Sequence, residues 1–282
     1  MNKLVKLANA KINLTLDVLG KRDDGYHDLK MIMAEIPLSD TVILTKQEEI
    51  SVSTNLSFLP NNDKNIAFRA AELFFEETGL DSGVAIEIEK KIPVSAGLAG
   101  GSTDAAAVLH GLNELYGANL SLEKLQQMGN KIGKDIPFCL QGGVALAEGT
   151  GERLSILSKL PHCWIVLIKP RHINVSTKEI FTSLQASRLE LHPDTSGAIC
   201  ALETGDLQGL SRRMYNVLEE VTVKKHPLIA ELKAVMLEEG ALGSVMSGSG
   251  PSVFGIFDSL ESAGNAQKRL LAYDKQVFLM EV

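Results

Sequence analysis

The stretch Pro93-Val94-Ser95-Ala96-Gly97-Leu98-Ala99-Gly100-Gly101-Ser102-Thr103 is built almost wholly from small residues and leads into the apolar run Ala105-Ala106-Ala107-Val108-Leu109. A chain reversal needs one or two glycines. Gly97, Gly100 and Gly101 in so short a space leave the backbone open to close approach from outside. A loop that leaves a strand and enters a helix at Ser102 exposes amide N–H groups at a helix N-terminus, and such a place attracts an anion. Glycine and alanine let phosphate oxygens reach those amides, and Ser102 or Thr103 adds a hydroxyl for phosphate or Mg²⁺. Two familiar phosphate patterns do not fit: Gly101 is followed by Ser102 rather than by lysine, and Gly97 and Gly100 do not have the G-x-G-x-x-G spacing. A tight strand-to-helix turn with close packing accounts for the glycines equally well, so the residues alone leave both readings open.

Three separated stretches carry a resemblance. "PVSAGLAGGSTDAA" resembles the ATP-binding motif of the galactokinase, homoserine kinase, mevalonate kinase and phosphomevalonate kinase (GHMP) superfamily. "ANAKINLTLDV" resembles its N-terminal motif and "VMSGSGPSVFGI" its C-terminal glycine motif. The three occur in the family's order, and the likeness extends over essentially the whole chain. "DGYHDL", "GKDIPFCLQGGVALAEGTGE" and "KPRHINVSTKEIF" resemble the branch whose acceptor is a cytidine-diphosphate alcohol rather than homoserine or a mevalonate derivative. The chain departs from the family pattern at Asn9, where proline is usual, at Thr103, where serine is commoner, and at Tyr215, where the residue is often small. Tyr215 is the departure with the bulk to crowd a neighbouring loop.

The resemblance implies ATP-dependent phosphorylation of the 2-hydroxyl of a small cytidine-diphosphate alcohol, with residues 93–103 holding ATP and Mg²⁺ accompanying it. Ser102 is the candidate protein ligand for that Mg²⁺, and no dedicated metal cage is implied. Phosphoryl transfer to an alcohol has a loose transition state, so the protein positions and neutralises more than it activates. The resemblance assigns the cation at the moving group to Lys11 and the acceptor of the hydroxyl proton to Asp135, the two acting as partners. Asn13, two residues along the strand, shares the face of Lys11 and is placed to bond substrate or carboxylate. For the cytosine, the resemblance implies Tyr26 and His27, with Phe181 as a second aromatic surface and Thr177 as a polar contact. An aromatic ring stacks on a pyrimidine, and an imidazole hydrogen-bonds a base edge. Outside that motif context Lys11 reads as a solvated strand lysine, Asp135 as a cap or turn residue and Phe181 as helix core. The rivals are a homoserine- or mevalonate-type kinase of the same superfamily and a non-catalytic nucleotide-binding relative. The presence of both Lys11 and Asp135 speaks against the latter.

Those residues need elements to hold them. "LVKLANAKINLTLDV" alternates with period two, as a strand does, and "LKMIMAEI" and "DTVILT" read as two further strands. Asp24-Gly25 marks the turn before them. "NDKNIAFRAAELFFEETG" places Ile66, Ala70, Leu73 and Phe74 on one helical face and stops at Gly79. "VAIEIE" alternates again, a helix follows the small-residue loop, and Ser121 caps another that ends near Gly133. "GGVALAEG" and "CWIVLIK" read as strands. Helices are expected over 176–185, 194–204, 207–222, 227–239 and 259–272, with "SVMSGSGPSVFGIF" and "QVFLME" supplying the remaining strands. The expected architecture is α+β with two domains of the GHMP-kinase type. The resemblance implies an N-terminal ribosomal-S5-like α/β domain over 1–156, carrying Lys11 and the phosphate loop, and a C-terminal ferredoxin-like domain over 157–282, where the pattern itself reads as an antiparallel sheet with helices.

Composition bounds the rest. The chain has 282 residues, 45% of them hydrophobic, enough for a sizeable core. A net charge of -7 disfavours a nucleic-acid binder with a broad basic face, yet leaves room for a local anion pocket. Cys139, Cys163 and Cys200 are too scattered for a disulfide framework or a zinc pattern, and His110, His162, His172, His192 and His226 show no metal spacing. No leading signal and no bilayer-length apolar run is read, so the expectation is a cytoplasmic protein with no membrane partner, either monomer or homodimer.

Overall fold

The computed structural model describes residues 2–184, 186 and 189–282, and its chain divides into two compact units that interleave in sequence. The first comprises Met1–Ala10, Leu38–Val94 and Ala99–Gly142; the second comprises Lys11–Pro37, Ser95–Leu98 and Gly143–Val282. Two long strands contribute to both, β1 (Lys3–Lys21) and β2 (His27–Gln47).

In the first unit, β3 (Ser51–Thr54), β4 (Gly83–Glu89), β2 and β1 lie in that order. Four helices accompany them: α1 (Ile66–Thr78), α2 (Gly100–Tyr116), α3 (Leu122–Ile132) and α4 (Ile136–Gln141). Local chemistry sets their ends. The Asn65 side chain accepts from the Ala67 amide at 3.0 Å to start α1, and Gly79 stops it with φ 67°. Ser121 caps α3 through the Lys124 amide. The core joins Val42, Leu44, Val84 and Ile86 of the strands to Phe74, Leu109, Leu112 and Met128 of the helices. It is water-free apolar surface of the kind that stabilises at roughly 25 cal/mol per Å².

In the second unit, β5 (Val144–Gly149) pairs with β2 and β6 (Arg153–Ile156) with β5. The two-residue β8 (Tyr215–Asn216) pairs in parallel with β1, Thr15 opposite Tyr215 and Leu16 opposite Asn216. A second sheet holds β7 (Trp164–Ile168), β9 (Gly243–Met246), β10 (Val253–Phe257) and β11 (Val277–Glu281) in the order β11-β7-β10-β9, every pair antiparallel. Between β7 and β9 run α5 (Thr177–Ser183), α6 (Thr195–Thr204), α7 (Leu207–Ser211), α8 (Glu219–Lys225) and α9 (Leu228–Glu238); α10 (Leu260–Leu270) joins β10 to β11. Helices α9 and α10 pack on this sheet and on each other, which is the ferredoxin-like arrangement expected for the C-terminal half. The chain leaves the first sheet after Ile156 and joins the second at Trp164.

Three sequence expectations need correction. The two strands "LKMIMAEI" and "DTVILT" are one, β2, despite Pro37. Residues 29–34 pair with β5 and 41–47 with β4, so the missing proline N–H falls between two ladders and costs neither a bond. The expected helix over 207–222 is broken into α7, β8 and α8. There the Asn216 side chain is committed to the backbone of Met246, Gly248 and Leu218. The helix after the small-residue loop begins at Gly100, not Ser102, because Ala99 adopts φ 58° and acts as the cap. The helix expected over 176–185 is α5, and Gln185 lies outside the described residues.

Candidate active site

The loop ahead of α2 alternates handedness. Ser95, Gly97 and Ala99 have φ of 53°, 76° and 58°, so every second residue from 95 to 99 is left-handed. Alternation of left-handed residues with residues of negative φ is the backbone pattern that anion nests share. Ser95 and Ala99 hold it against the steric preference of residues with a Cβ, a strain that persists only where surrounding contacts impose it. Ala99 offers no capping side chain to α2, and the first turn of that helix carries no acidic residue. The helix therefore presents its N-terminal amides and positive dipole end without an internal anion. Ser102 is half-buried in this first turn. The Thr103 hydroxyl, by contrast, donates to the Asn9 carbonyl at 2.6 Å, tying α2 to β1 within the first unit.

The tip, residues 95–98, belongs to the second unit and is gripped there by the C-terminal glycine segment 247–252. The Ser247 hydroxyl donates to the Gly97 carbonyl at 2.9 Å and accepts from the Asn13 amide at 3.3 Å. The Ser252 amide donates to the Ala96 carbonyl, and the Lys11 amide to the Leu98 carbonyl. A side chain at Gly97 would run into the Ser247 carbonyl, so glycine here answers both a left-handed φ and a backbone approach. Lys11 is only 5% exposed and donates from Nζ to Asn13 Oδ1 at 2.8 Å; Asn13 is fully buried. Lys11 is thus no solvated surface lysine.

The two arms of the loop lie in the first unit and are joined by buried ions that the sequence reading did not anticipate. Lys90 Nζ bonds Asp40 and Asp104 Oδ2, the latter at 2.6 Å, and donates to the Gly100 carbonyl at 3.3 Å. Asp40 also accepts from the backbone amides of Lys91 and Ile92. Burial pushes the Asp104 carboxyl up to about 8; the attraction of Lys90 opposes this and the neighbouring Asp40 charge reinforces it. Its Oδ1 is buried with no hydrogen-bond partner among the described residues, which favours the neutral acid at pH 7. The available signal was charge in the wrong place: Asp40, Lys90 and Asp104 each flank an apolar element.

Also in the second unit, His27 and Phe181 meet with ring centroids 5.2 Å apart and planes tilted by 35°. Burial, with Lys21 nearby, holds the His27 imidazole below its ordinary pKa, so it is neutral at pH 7 and can both donate and accept. Tyr26 stands exposed beside them after the Asp24-Gly25 turn, Gly25 having φ 84°. Thr177 Oγ1 lies 2.8 Å from Ser249 Oγ, linking the start of α5 to the glycine segment. One further pair escaped the sequence: Asp17, buried on β1, bonds His192 Nδ1 at 2.7 Å. Tyr215, the bulky departure, lies on β8 opposite Thr15. In the first unit, Asp135 occupies the N-cap position of α4, yet its side chain makes no capping bond to that helix.

With this geometry established, likeness to known proteins is informative. The patterns of the GHMP kinases N terminal domain and the GHMP kinases C terminal match residues 65–143 and 198–276. The 4-diphosphocytidyl-2-C-methyl-D-erythritol kinase of Alkaliphilus metalliredigens is 47% identical over 283 residues, covering 100% of this chain and 97% of its own. The chain belongs to this kinase family. A crystal structure of 4-(cytidine 5'-diphospho)-2C-methyl-D-erythritol kinase superposes with a TM-score of 0.84 at 32% identity, over 99% of this chain and 98% of that one. Homoserine kinase from Cytophaga hutchinsonii superposes at 0.79 with 21% identity, over 99% and 95%, a likeness of fold alone. Among the described residues no cluster of three or more His, Cys, Asp or Glu side chains is placed to hold a metal ion, and no helix is long and apolar enough to cross a membrane.

Proposed function

We propose that this kinase transfers the γ-phosphoryl group of ATP by way of Lys11 and Asp135, with the alternating loop 93–103 and the N-terminus of α2 as the phosphate cradle. The reaction is ATP-dependent phosphorylation of the 2-hydroxyl of 4-diphosphocytidyl-2-C-methyl-D-erythritol, a step of isoprenoid precursor synthesis, with ADP as the other product. The observation that carries the reading is the loop itself: left-handed residues at 95, 97 and 99 ahead of an uncapped helix, on a chain of this family. Its amides stabilise negative charge already present on ATP and charge that shifts during transfer. Lys11, buried with Asn13 as one partner, offsets charge on the moving group. Asp135, at an N-cap position it does not use for capping, orients the 2-hydroxyl and accepts its proton late. Tyr26, His27, Phe181 and Thr177 receive the cytidine end; the His27–Phe181 ring pair supports this.

Mg²⁺ fits the donor set: Ser102 supplies a half-buried hydroxyl on the first turn of α2, and ATP oxygens and water supply the rest. When bound it supplies charge neutralisation for the phosphates. The cell compartment that fits such a small-molecule kinase is the cytoplasm.

Two assays test these assignments. ADP release is followed separately with the cytidine alcohol, mevalonate and homoserine; turnover with mevalonate or homoserine but not the cytidine compound overturns the substrate assignment. Asp135→Asn is expected to retain ATP binding while kcat falls by about 10²–10⁴-fold, the usual contribution of a positioned proton acceptor. Unchanged kcat removes Asp135 from the role.

A further inference from the structure

We propose that Asn216 and Ser247 are positioning residues for phosphoryl transfer, Asn216 fixing the glycine segment and Ser247 using it to register the phosphate-loop tip against the strand that carries Lys11. The inference rests on the reading of residues 93–103 as the nucleotide phosphate loop.

Asn216 is fully buried on the two-residue strand β8 and uses its whole side chain. Its Nδ2 donates to the Met246 carbonyl at 2.8 Å and to the Gly248 carbonyl at 2.7 Å, the two carbonyls flanking Ser247. Its Oδ1 accepts from the Leu218 amide at 3.0 Å, and its backbone lies in register with Leu16 of β1. A single amide group thus pins residues 246 and 248 to the β1 ladder. The Glu219 carboxylate adds a second hold, accepting the Met246 amide at 2.7 Å.

Ser247, held from both sides, is fully buried and has one hydroxyl with two uses. It receives the Asn13 amide of β1 and gives its proton to the Gly97 carbonyl of the loop tip. Asn13 in turn accepts from Lys11 Nζ. The path Asn216, residues 246–248, Ser247, Gly97 and Asn13 is continuous, lies within one compact unit, and ends on the proposed cation. The links from Asn216 through Ser247 to Asn13 are neutral, and Glu219, which also holds residue 246, is ion-paired with Lys233. Phosphoryl transfer depends on the distance this path sets, because misplacement by about 1 Å costs on the order of 10²-fold.

Ser247→Ala in the full chain tests this with little risk to folding. Steady-state kinetics are measured with ATP and the cytidine alcohol, and equilibrium binding with a nonhydrolysable ATP analogue. The expected result is a fall in kcat of about tenfold and weaker analogue binding, with the cytidine-alcohol KM within about twofold and the urea midpoint lowered only as far as the loss of one buried hydroxyl entails. Asn216→Asp keeps the shape but turns lone pairs toward two carbonyls; a fall in kcat of about 10²-fold is expected if it folds. A folded Ser247→Ala enzyme with kcat and analogue affinity both within twofold of the parent overturns the proposal. So does a loss in which kcat, both KM values and the urea midpoint move together, since that is general loosening. Ala99→Asp separates the two readings by placing a carboxylate in the nest at a left-handed position aspartate tolerates. If it leaves analogue affinity intact, the loop reading itself fails. If it abolishes binding while Ser247→Ala changes nothing, only the positioning inference falls.

Discussion

The tip and the arms of the loop ahead of α2 are anchored by opposite means. The tip at 95–98 is held by neutral hydrogen bonds from Ser247, Ser252 and the Lys11 amide, while the arms at 90–92 and 100–104 are joined by Lys90 between two buried carboxylates. Neutral anchors leave the potential at the tip to its amides and the helix end, which suits the proposed phosphate site. Ionic anchors in a dry interior are costly to break by removing one partner, and they depend on the protonation of Asp104. One loop thus separates the ion-paired arms from the tip for which we propose phosphate recognition.

Substitutions can break that division, and the largest effect belongs to the arms. Lys90→Met leaves the buried Asp40 carboxylate and Asp104 carboxyl group without their cation and is expected to destabilise by about 3–5 kcal/mol, read as a lowered denaturant midpoint. A change under about 1 kcal/mol would mean the ions are ornamental. At the tip, Gly97→Ala forces a Cβ toward the Ser247 carbonyl at φ 76°. It is expected to cost about 1–3 kcal/mol of stability and about 10²-fold in kcat/KM for ATP. Loss of stability without loss of ATP efficiency would erase the distinction between tip and arms.

The ionic anchor also predicts a pH dependence. An Asp104 carboxyl raised to about 8 binds a proton in the folded chain across a range where the unfolded chain has released it. Its contribution to stability is therefore greatest at low pH and declines as pH rises through about 8, by at most about 1.4 kcal/mol per pH unit. Asp104→Asn keeps an acceptor for Lys90 and removes the titration, so its urea midpoint should vary less between pH 6 and 9. Parallel curves for the two proteins would show that Asp104 is ionised throughout. Smallest of all, Phe181→Leu touches neither anchor. It is expected to raise KM for the cytidine alcohol by about tenfold through lost ring contact, leaving KM for ATP and the melting curve in place.

Much of the frame was legible because its signals are local. Asn65, Ser121 and Gly79 mark helix ends within one turn of themselves, and the period-two pattern of residues 11–18 announces β1. The glycine and alanine content of 95–101 signalled close approach, although the left-handed turns at Ser95 and Ala99 and the early start of α2 did not show. Long-range pairings left no such trace. Asp40 and Lys90 stand fifty positions apart, Asp17 and His192 farther still, and nothing in either neighbourhood names the other. The stretch 207–222 looks helical by composition, yet β8 interrupts it because the Asn216 amide bonds two carbonyls that arrive thirty residues later.

The sequence by itself determined where helices and strands could begin, which face of β1 is polar, and that a small-residue loop open to close approach precedes a helix. Those follow from side-chain size, capping chemistry and periodicity, which act over a few residues. Only the tertiary structure decided that Lys11 is buried, that Lys90 rather than a turn holds the loop's arms, and that Ser247 sets the tip against Asn13. Burial and hydrogen-bond partnership depend on which distant segments displace water from a group, and a linear order of residues does not specify that.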